Sequence, residues 1–410
     1  MPPEGAGTGR VVLFGATGYT GRLTAEAMVA AGVRPVLAGR DRGRLEALVG
    51  RLGGLPVAEA DTGRPESVQD LVGRDDVLVS TVGPFLTRGE PAVRAAVDAG
   101  ATYLDATGEP PFLRRVFEEH GPRAVGRCAL VPAFGYDFVP GNLAGALTLD
   151  DAGDRVARVT IGYFVTGGGG FSSGTMASGA GLMLEPGFAW RDGRLRRERI
   201  ARRVRAFPIG GRNWLGVSYG GSEHFALPRI APGLREVEVY LGWFGRRSRA
   251  MQAVSAVGAP LARVPGARAL TRAATGKLLT RTGQGPDEAT RRRGGSLIVA
   301  VASDADGREL AQVHLRGPDP YTLTASLLAW GAQRAANSGV LSTGALGPID
   351  AFGLEALRKA ATAAGLERTD GSVAGSVVGR RRGRVIVGAG AGAPGRESSV
   401  ARVRPGPVRR

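Results

Sequence analysis

Along the first 150 residues, short β-branched or apolar runs alternate with stretches whose apolar positions recur at helical spacing. The runs at 10–15, 35–39, 55–59, 76–81, 101–104 and 128–131 read as strands. The stretches at 19–31, 42–52, 65–73, 89–99 and 111–125 read as helices. Strands joined through helical crossovers predict an α/β fold, a Rossmann-type doubly wound parallel sheet. Beyond residue 150 the pattern shifts to longer alternating strands, such as 156–165, 236–243 and 297–301, separated by glycine-rich turns. That change predicts a second, α+β domain built on a mostly antiparallel sheet. Helical periodicity returns at 321–337 and 351–364. The expected division is a nucleotide domain over 8–150, a substrate domain over 151–320, C-terminal helices packing back on the core over 321–370, and a disordered basic tail over 371–410.

Composition supports a folded globular chain: 43% of residues are hydrophobic, 22% are charged, and 66 glycines supply turns. The net charge of +17 suggests nucleic-acid binding until the charge is located. Residues 246–286 hold eight basic side chains and no acid, and residues 378–410 hold nine arginines against Glu397. The remainder is nearly neutral, so no nucleic-acid partner is expected. Cys128 is the single cysteine, which rules out an internal disulfide and suits a reducing compartment. The first ten residues lack a charged-then-apolar leader, and no uninterrupted apolar stretch reaches about 18 residues. A cytoplasmic protein is expected. Its segment 246–283, with Met251, Val254, Val257, Leu261 and Val264 beside arginines, offers either peripheral contact with the inner membrane face or an ordinary packed helix. A homodimer is a further option.

The clearest chemical signal is the first strand–turn–helix, Val11-Val12-Leu13-Phe14-Gly15-Ala16-Thr17-Gly18-Tyr19-Thr20-Gly21. Its G-x-x-G-x-x-G spacing is a variant of the dinucleotide fingerprint, with Gly15 for the turn, Gly18 for pyrophosphate approach and Gly21 for helix–sheet packing. The second strand ends at Arg40, where a basic side chain accommodates the 2′-phosphate of NADP and an acidic one would select NAD. Asp41 reads as the cap of the next helix. After the fourth strand, Thr81-Val82-Gly83-Pro84 forms a turn at the carboxyl edge of the sheet, where the nicotinamide ribose is expected.

Hydride transfer also needs a proton donor, and Asp105, Thr107, Glu109, Tyr136 and Asp137 are candidates. Tyr136 and Asp137 lead, because their turn follows the last parallel strand and should face the cleft. Ser172, Ser173 and Thr175, in a glycine-rich loop, offer hydroxyls and N–H groups to a substrate oxygen or phosphate, or else cap a helix. Three scattered histidines and one cysteine leave no metal-ligand cluster, so no metal is expected. The residues four before Lys277 and Lys359 are Ala273 and Glu355, so the Tyr-x-x-x-Lys chemistry of short-chain dehydrogenases is excluded.

GATGYTG at 15–21, STVGPF at 80–85, YLDATGE at 103–109 and FGYDFVP at 134–140 together resemble the saccharopine dehydrogenase-like family, in particular its trans-acting enoyl reductase branch. The resemblance implies NADP as cofactor and a substrate cleft between two domains. It also implies reduction of an enoyl or related unsaturated bond on a lipid-like or polyketide substrate. An amine or imine oxidoreductase acting on an amino-acid-like substrate is the alternative, and a non-catalytic NADP-binding scaffold is a third. Saccharopine enzymes proper carry a G-A-G turn where this chain has GATG, which weakens the amino-acid reading.

Overall fold

Val11–Phe14 (β1) and Val77–Ser80 (β4) are buried at every position, as expected of strands covered on both faces of a parallel sheet. The computed structural model, which describes residues 9–167, 172, 185–243, 245–261 and 285–369, places them side by side. Val36–Gly39 (β2) and Val57–Glu59 (β3) extend the sheet on one side of that pair, Thr102–Asp105 (β5) and Ala129–Val131 (β6) on the other. The order β6-β5-β4-β1-β2-β3 reverses direction at β1, which opens a crevice at the carboxyl ends of β1 and β4.

The sheet has one strand more than the periodicity indicates. Gly344–Ala345 pairs in parallel with β6 and forms a seventh, outermost strand. Two residues are too few to carry a period, so only tertiary pairing reveals them.

Among the described residues the second sheet has nine strands. Arg158–Thr166 (β7) lies at its centre; Pro186–Arg191 (β8), Arg194–Arg199 (β9), Val204–Ile209 (β10), Arg212–Tyr219 (β11) and Glu236–Leu241 (β12) build one wing. Gly295–Ser303 (β13), Glu309–Gly317 (β14) and Glu367–Thr369 build the other. Every pairing is antiparallel except β12 with β7, so the sheet is mixed and mostly antiparallel.

The chain passes between the sheets more than once. Helix Val139–Ala152 leaves the end of β6 and packs on β7, β13 and β14. Helix Pro320–Ser338 follows β14 and returns to the first sheet, where it packs along Tyr19–Ala30 and Gln333 donates to the Ala31 carbonyl at 3.0 Å. Helix Ser248–Leu261 packs inward through Met251 and the buried Ser255, whereas Val254 and Val257 are 57% and 72% exposed. The rest of the expected amphipathic segment, 262–283, lies outside the described residues. Among the described residues no helix is long and apolar enough to cross a membrane.

Candidate active site and cofactor cleft

Gly15 ends β1 at φ +89°, a left-handed conformation that glycine adopts without penalty. Its carbonyl accepts from Gly18 N at 2.9 Å, closing the turn into helix Tyr19–Ala30. A Cβ at Gly15 would stand 2.8 Å from Thr81 Oγ1 and from Val82 Cγ2, and one at Gly21 only 2.2 Å from the Gly15 carbonyl oxygen. The helix N-terminus has no side-chain cap and no acid in its first turn. Its amide dipoles are therefore unopposed, the arrangement that favours a bound anion.

In front of this turn lies a cleft of about 430 Å³. Gly15, Thr17, Gly18, Arg40, Thr81, Val82 and Gly83, all of them cofactor candidates, line it. The remaining turn residues do other work. Ala16 and Gly21 are buried beneath the turn, the Thr20 carbonyl accepts from Thr24 Oγ1, and Pro84 starts the helix Phe85–Arg88. Tyr19 points elsewhere, its hydroxyl donating to the Pro286 carbonyl at 2.5 Å and receiving Arg291 Nη1 at 3.1 Å.

Arg44, Asp61, Thr62, Gly63 and Arg88 also line the cleft without a preceding sequence motif. Arg44 stands one helical turn after Arg40, a spacing that could have drawn attention to it. Asp41 caps that helix, accepting from Arg44 N at 3.0 Å, so neighbouring residues cap and line the cleft at once. Among the described residues Arg40, Arg44 and Arg88 make no ion pair, which leaves three cations for an anionic ligand. An open helix N-terminus, a glycine cradle with no room for Cβ atoms and arginines at the ribose end together fit a phosphorylated dinucleotide.

The three acidic or hydroxyl candidates on the β5 loop are committed to structure. Asp105 is fully buried and accepts from Tyr103 Oη, Thr107 N and Ala133 N at 2.8–2.9 Å. Burial raises its carboxyl to about 6, against the lowering effect of these donors. Thr107 accepts from Glu109 N, and Glu109 takes Phe85 N and Leu86 N at 2.7 and 2.8 Å. Glu109 thereby ties the cleft loop 81–84 to the turn 105–109.

Asp137 sits against that turn, with Oδ2 only 2.8 Å from where a Cβ on Gly108 would stand. It is partly exposed, and its Oδ1 has no hydrogen-bond partner. Burial alone raises its carboxyl to about 7. Tyr136 is 2% exposed, edge-on to Tyr163 at 5.5 Å and stacked beside Trp243 at 6.4 Å. Burial, followed by the nearby Asp137, pushes its phenol well above the ordinary range, so it gives up a proton poorly. Tyr219 closes the wall, donating to the Gly108 carbonyl at 2.7 Å.

The sequence gives no hint of Glu223, which is wholly buried and bonded to Tyr163 Oη at 2.5 Å. Of the expected substrate-loop residues, Ser172 is buried and donates its N–H to Tyr321 Oη at 2.7 Å, whereas Ser173 and Thr175 lie outside the described residues. Among the described residues no three His, Cys, Asp or Glu side chains converge as a metal site.

Comparison with known proteins agrees with this geometry. Residues 11–124 match the saccharopine dehydrogenase NADP-binding domain. A candidate trans-acting enoyl reductase of Mycobacterium tuberculosis is 32% identical over 369 residues, covering 78% of this chain and 86% of that relative. The trans-acting enoyl reductase of Mycobacterium leprae is 38% identical over 140 residues, 32% of this chain and 34% of its own. The saccharopine dehydrogenase (L-Glu forming) of Saccharomyces cerevisiae shares the fold, with a TM-score of 0.54 at 14% identity, over 88% of this chain and 99% of that one.

Proposed function

Because the chain belongs to the saccharopine dehydrogenase-like family of NADP-dependent oxidoreductases, we propose that it reduces an enoyl or related unsaturated bond in a lipid-like or polyketide acyl substrate. Family membership sets aside the non-catalytic scaffold. The cofactor is NADP, and the residues suited to hold it are Gly15, Thr17 and Gly18 with Arg40, Arg44 and the loop residues Thr81, Val82 and Gly83.

The observation that carries the enoyl reading is the setting of Asp137. Its surroundings are Tyr136, Phe138, Tyr163, Tyr219, the buried Glu223 and the turn at Gly108, and among the described residues no cation contributes to its shifted protonation. A dicarboxylic amino acid would need cations to replace its hydration. Arginines of the second sheet are engaged by its own acids: Arg158 and Arg191 pair with Glu236, and Arg191, Arg203 and Arg205 with Glu238. An uncharged acyl chain suits an aromatic wall better.

NADPH, when bound, would supply the hydride that the β-carbon of an unsaturated acyl group needs. The chain's task is then to hold the acyl group against the aromatic wall, exclude water and deliver a proton to the α-carbon. Asp137 is protonated below about pH 7 and has a free oxygen, so its carboxyl is the donor in this reading. It leaves the step as a carboxylate and regains a proton from solvent through its exposed edge.

The test follows NADPH absorbance with the purified protein: NADPH oxidation with the crotonyl thioester of N-acetylcysteamine in one arm, and NADP reduction with saccharopine in the other. Turnover of the thioester is expected. Turnover confined to saccharopine would overturn the enoyl reading and install the amine reading.

A further inference from the structure

Four side chains next to the Asp137 turn converge on one buried point. Tyr163 reaches in from β7, Asn142 from helix Val139–Ala152, and Ser222 and Glu223 from the start of helix Glu223–Ile230. Asn142, Ser222 and Glu223 are all 0% exposed. Tyr163 Oη lies 2.5 Å from Glu223 Oε1, 2.8 Å from Gly141 N and 3.3 Å from the Phe138 carbonyl. Asn142 completes the group, its Nδ2 donating to Ser222 Oγ at 2.8 Å and to the Phe138 carbonyl at 2.9 Å.

The backbone is shaped around the Glu223 carboxyl. A Cβ at Gly141 would stand 2.0 Å from Tyr163 Oη and 2.3 Å from Glu223 Oε1, and one at Gly221 would stand 2.2 Å from Glu223 Oε2. Glycine therefore occurs at the two positions where any side chain would displace this carboxyl. A surface acid needs no such seat.

Hydrogen-bond accounting gives the protonation state. Tyr163 oxygen already receives the Gly141 N–H, and its own hydroxyl can point at only one acceptor. If Glu223 is a carboxylic acid, it donates to Tyr163 and Tyr163 donates to the Phe138 carbonyl, so all three contacts are used. If Glu223 is ionised, its Oε2 becomes a buried charged oxygen without a hydrogen-bond partner, which costs several kcal/mol on the usual scale. The titratable groups around it are Asp137, Tyr163 and His224, and none is a cation at neutral pH; burial pushes His224 down to about 4. Burial, with a smaller push from Asp137, raises Glu223 itself to about 8 despite the lowering effects of Tyr163 and of its own backbone N–H.

We propose that Glu223 is a positioning residue of the reductase: as a neutral acid it donates to Tyr163, and Tyr163 in turn fixes the Phe138–Gly141 backbone that carries Asp137. The inference rests on Asp137 being the proton donor. Glu223 touches neither substrate nor cofactor; it acts by holding the donor's backbone between the two sheets. An ionised Glu223 would break the chain of donors and would also place a second negative charge beside Asp137, making it a weaker acid.

Two measurements on the full chain separate this inference from the reading beneath it. The first is an infrared pH titration without cofactor or substrate, comparing the native protein with Glu223→Gln. A protonated-carboxyl band present at pH 7 and absent in the variant is expected; no difference at pH 7 means an ionised Glu223 and overturns the proposal. The second is thioester reduction by Glu223→Leu and Glu223→Gln, with NADPH fluorescence titration to establish that both fold. Glu223→Leu, which cannot bond Tyr163, should lose about tenfold or more in kcat at unchanged NADPH affinity, and Glu223→Gln should restore most of it. Unchanged kcat in Glu223→Leu overturns the positioning role. Full activity in Asp137→Asn would instead defeat the donor assignment and leave the infrared result standing.

Discussion

At the scale of single residues, Asp76, Glu238 and Asp137 show what sets the protonation of a buried carboxyl in this chain. Asp76 and Glu238 are held below the ordinary range, overcoming the opposing effect of burial, because Arg10 bonds the first and Arg191, Arg203 and Arg205 surround the second. Asp137 has the burial without the arginine, so it moves up, to about 7. Activity that requires its acid form should therefore fall as pH rises through about 7. Asp137→Asn should lower kcat by about 10²-fold or more and abolish that alkaline limb, with NADPH affinity intact. A pH series of kcat for both proteins checks this. The nucleotide end offers an independent prediction. Arg40 stands where the 2′-phosphate is expected, so Arg40→Asp should weaken NADPH binding by about tenfold or more while NADH binding changes little. Fluorescence titration with both nucleotides reads the difference.

At the scale of elements, the glycine turn is where sequence and structure correspond most closely. Gly15 combines φ +89° with contacts that leave no room for a Cβ, so Gly15→Ala adds backbone strain of about 1 kcal/mol and also pushes Thr81 and Val82 out of place. Gly53 is the matched control: it has φ +84° and nothing within 4 Å. Both alanine variants should melt lower, but only Gly15→Ala should lose NADPH affinity, as thermal melts and titrations on the two proteins would show. The turn was legible because its chemistry is local: three glycines and an arginine are read within one strand–helix–strand unit. The β5 loop was legible as polar but misleading as to role, since Asp105 and Glu109 meet the Ala133, Phe85 and Leu86 amides only after the strands align. Glu223 and Tyr163 were hidden for the same reason. They are 60 residues apart, one in an apolar strand and the other behind a Gly-Gly pair, and no periodicity joins them. The two-residue strand at 344–345 was invisible because its pairing partner is more than 200 residues away.

At the scale of the whole molecule, the buried carboxyls of Glu223, Asp137 and Asp105 meet no neutralising cation among the described residues, and this makes stability depend on pH. Glu223 titrates at about 8 in the folded protein and near 4.5 in the unfolded chain, so between these values the native state holds a proton that the unfolded state has released. Its contribution to stability is full below about pH 4.5 and is lost progressively as pH rises through 8. Asp137 behaves alike up to about 7, and Asp105 up to about 6. His224 works in the opposite direction: folding lowers it from 6.5 to about 4, so between these values the unfolded chain holds a proton that the native state lacks, and stability falls as pH drops below 6.5. Above pH 7 its effect is complete, and Glu223 dominates among these four. Chemical denaturation from pH 6 to 9 should therefore show the native protein losing stability. The stability of Glu223→Gln, which has no proton to release, should gain on it by about 1 kcal/mol or more over that range. Parallel curves for the two proteins would mean that Glu223 is already charged at pH 6 in the native state, which overturns its assignment as a neutral acid.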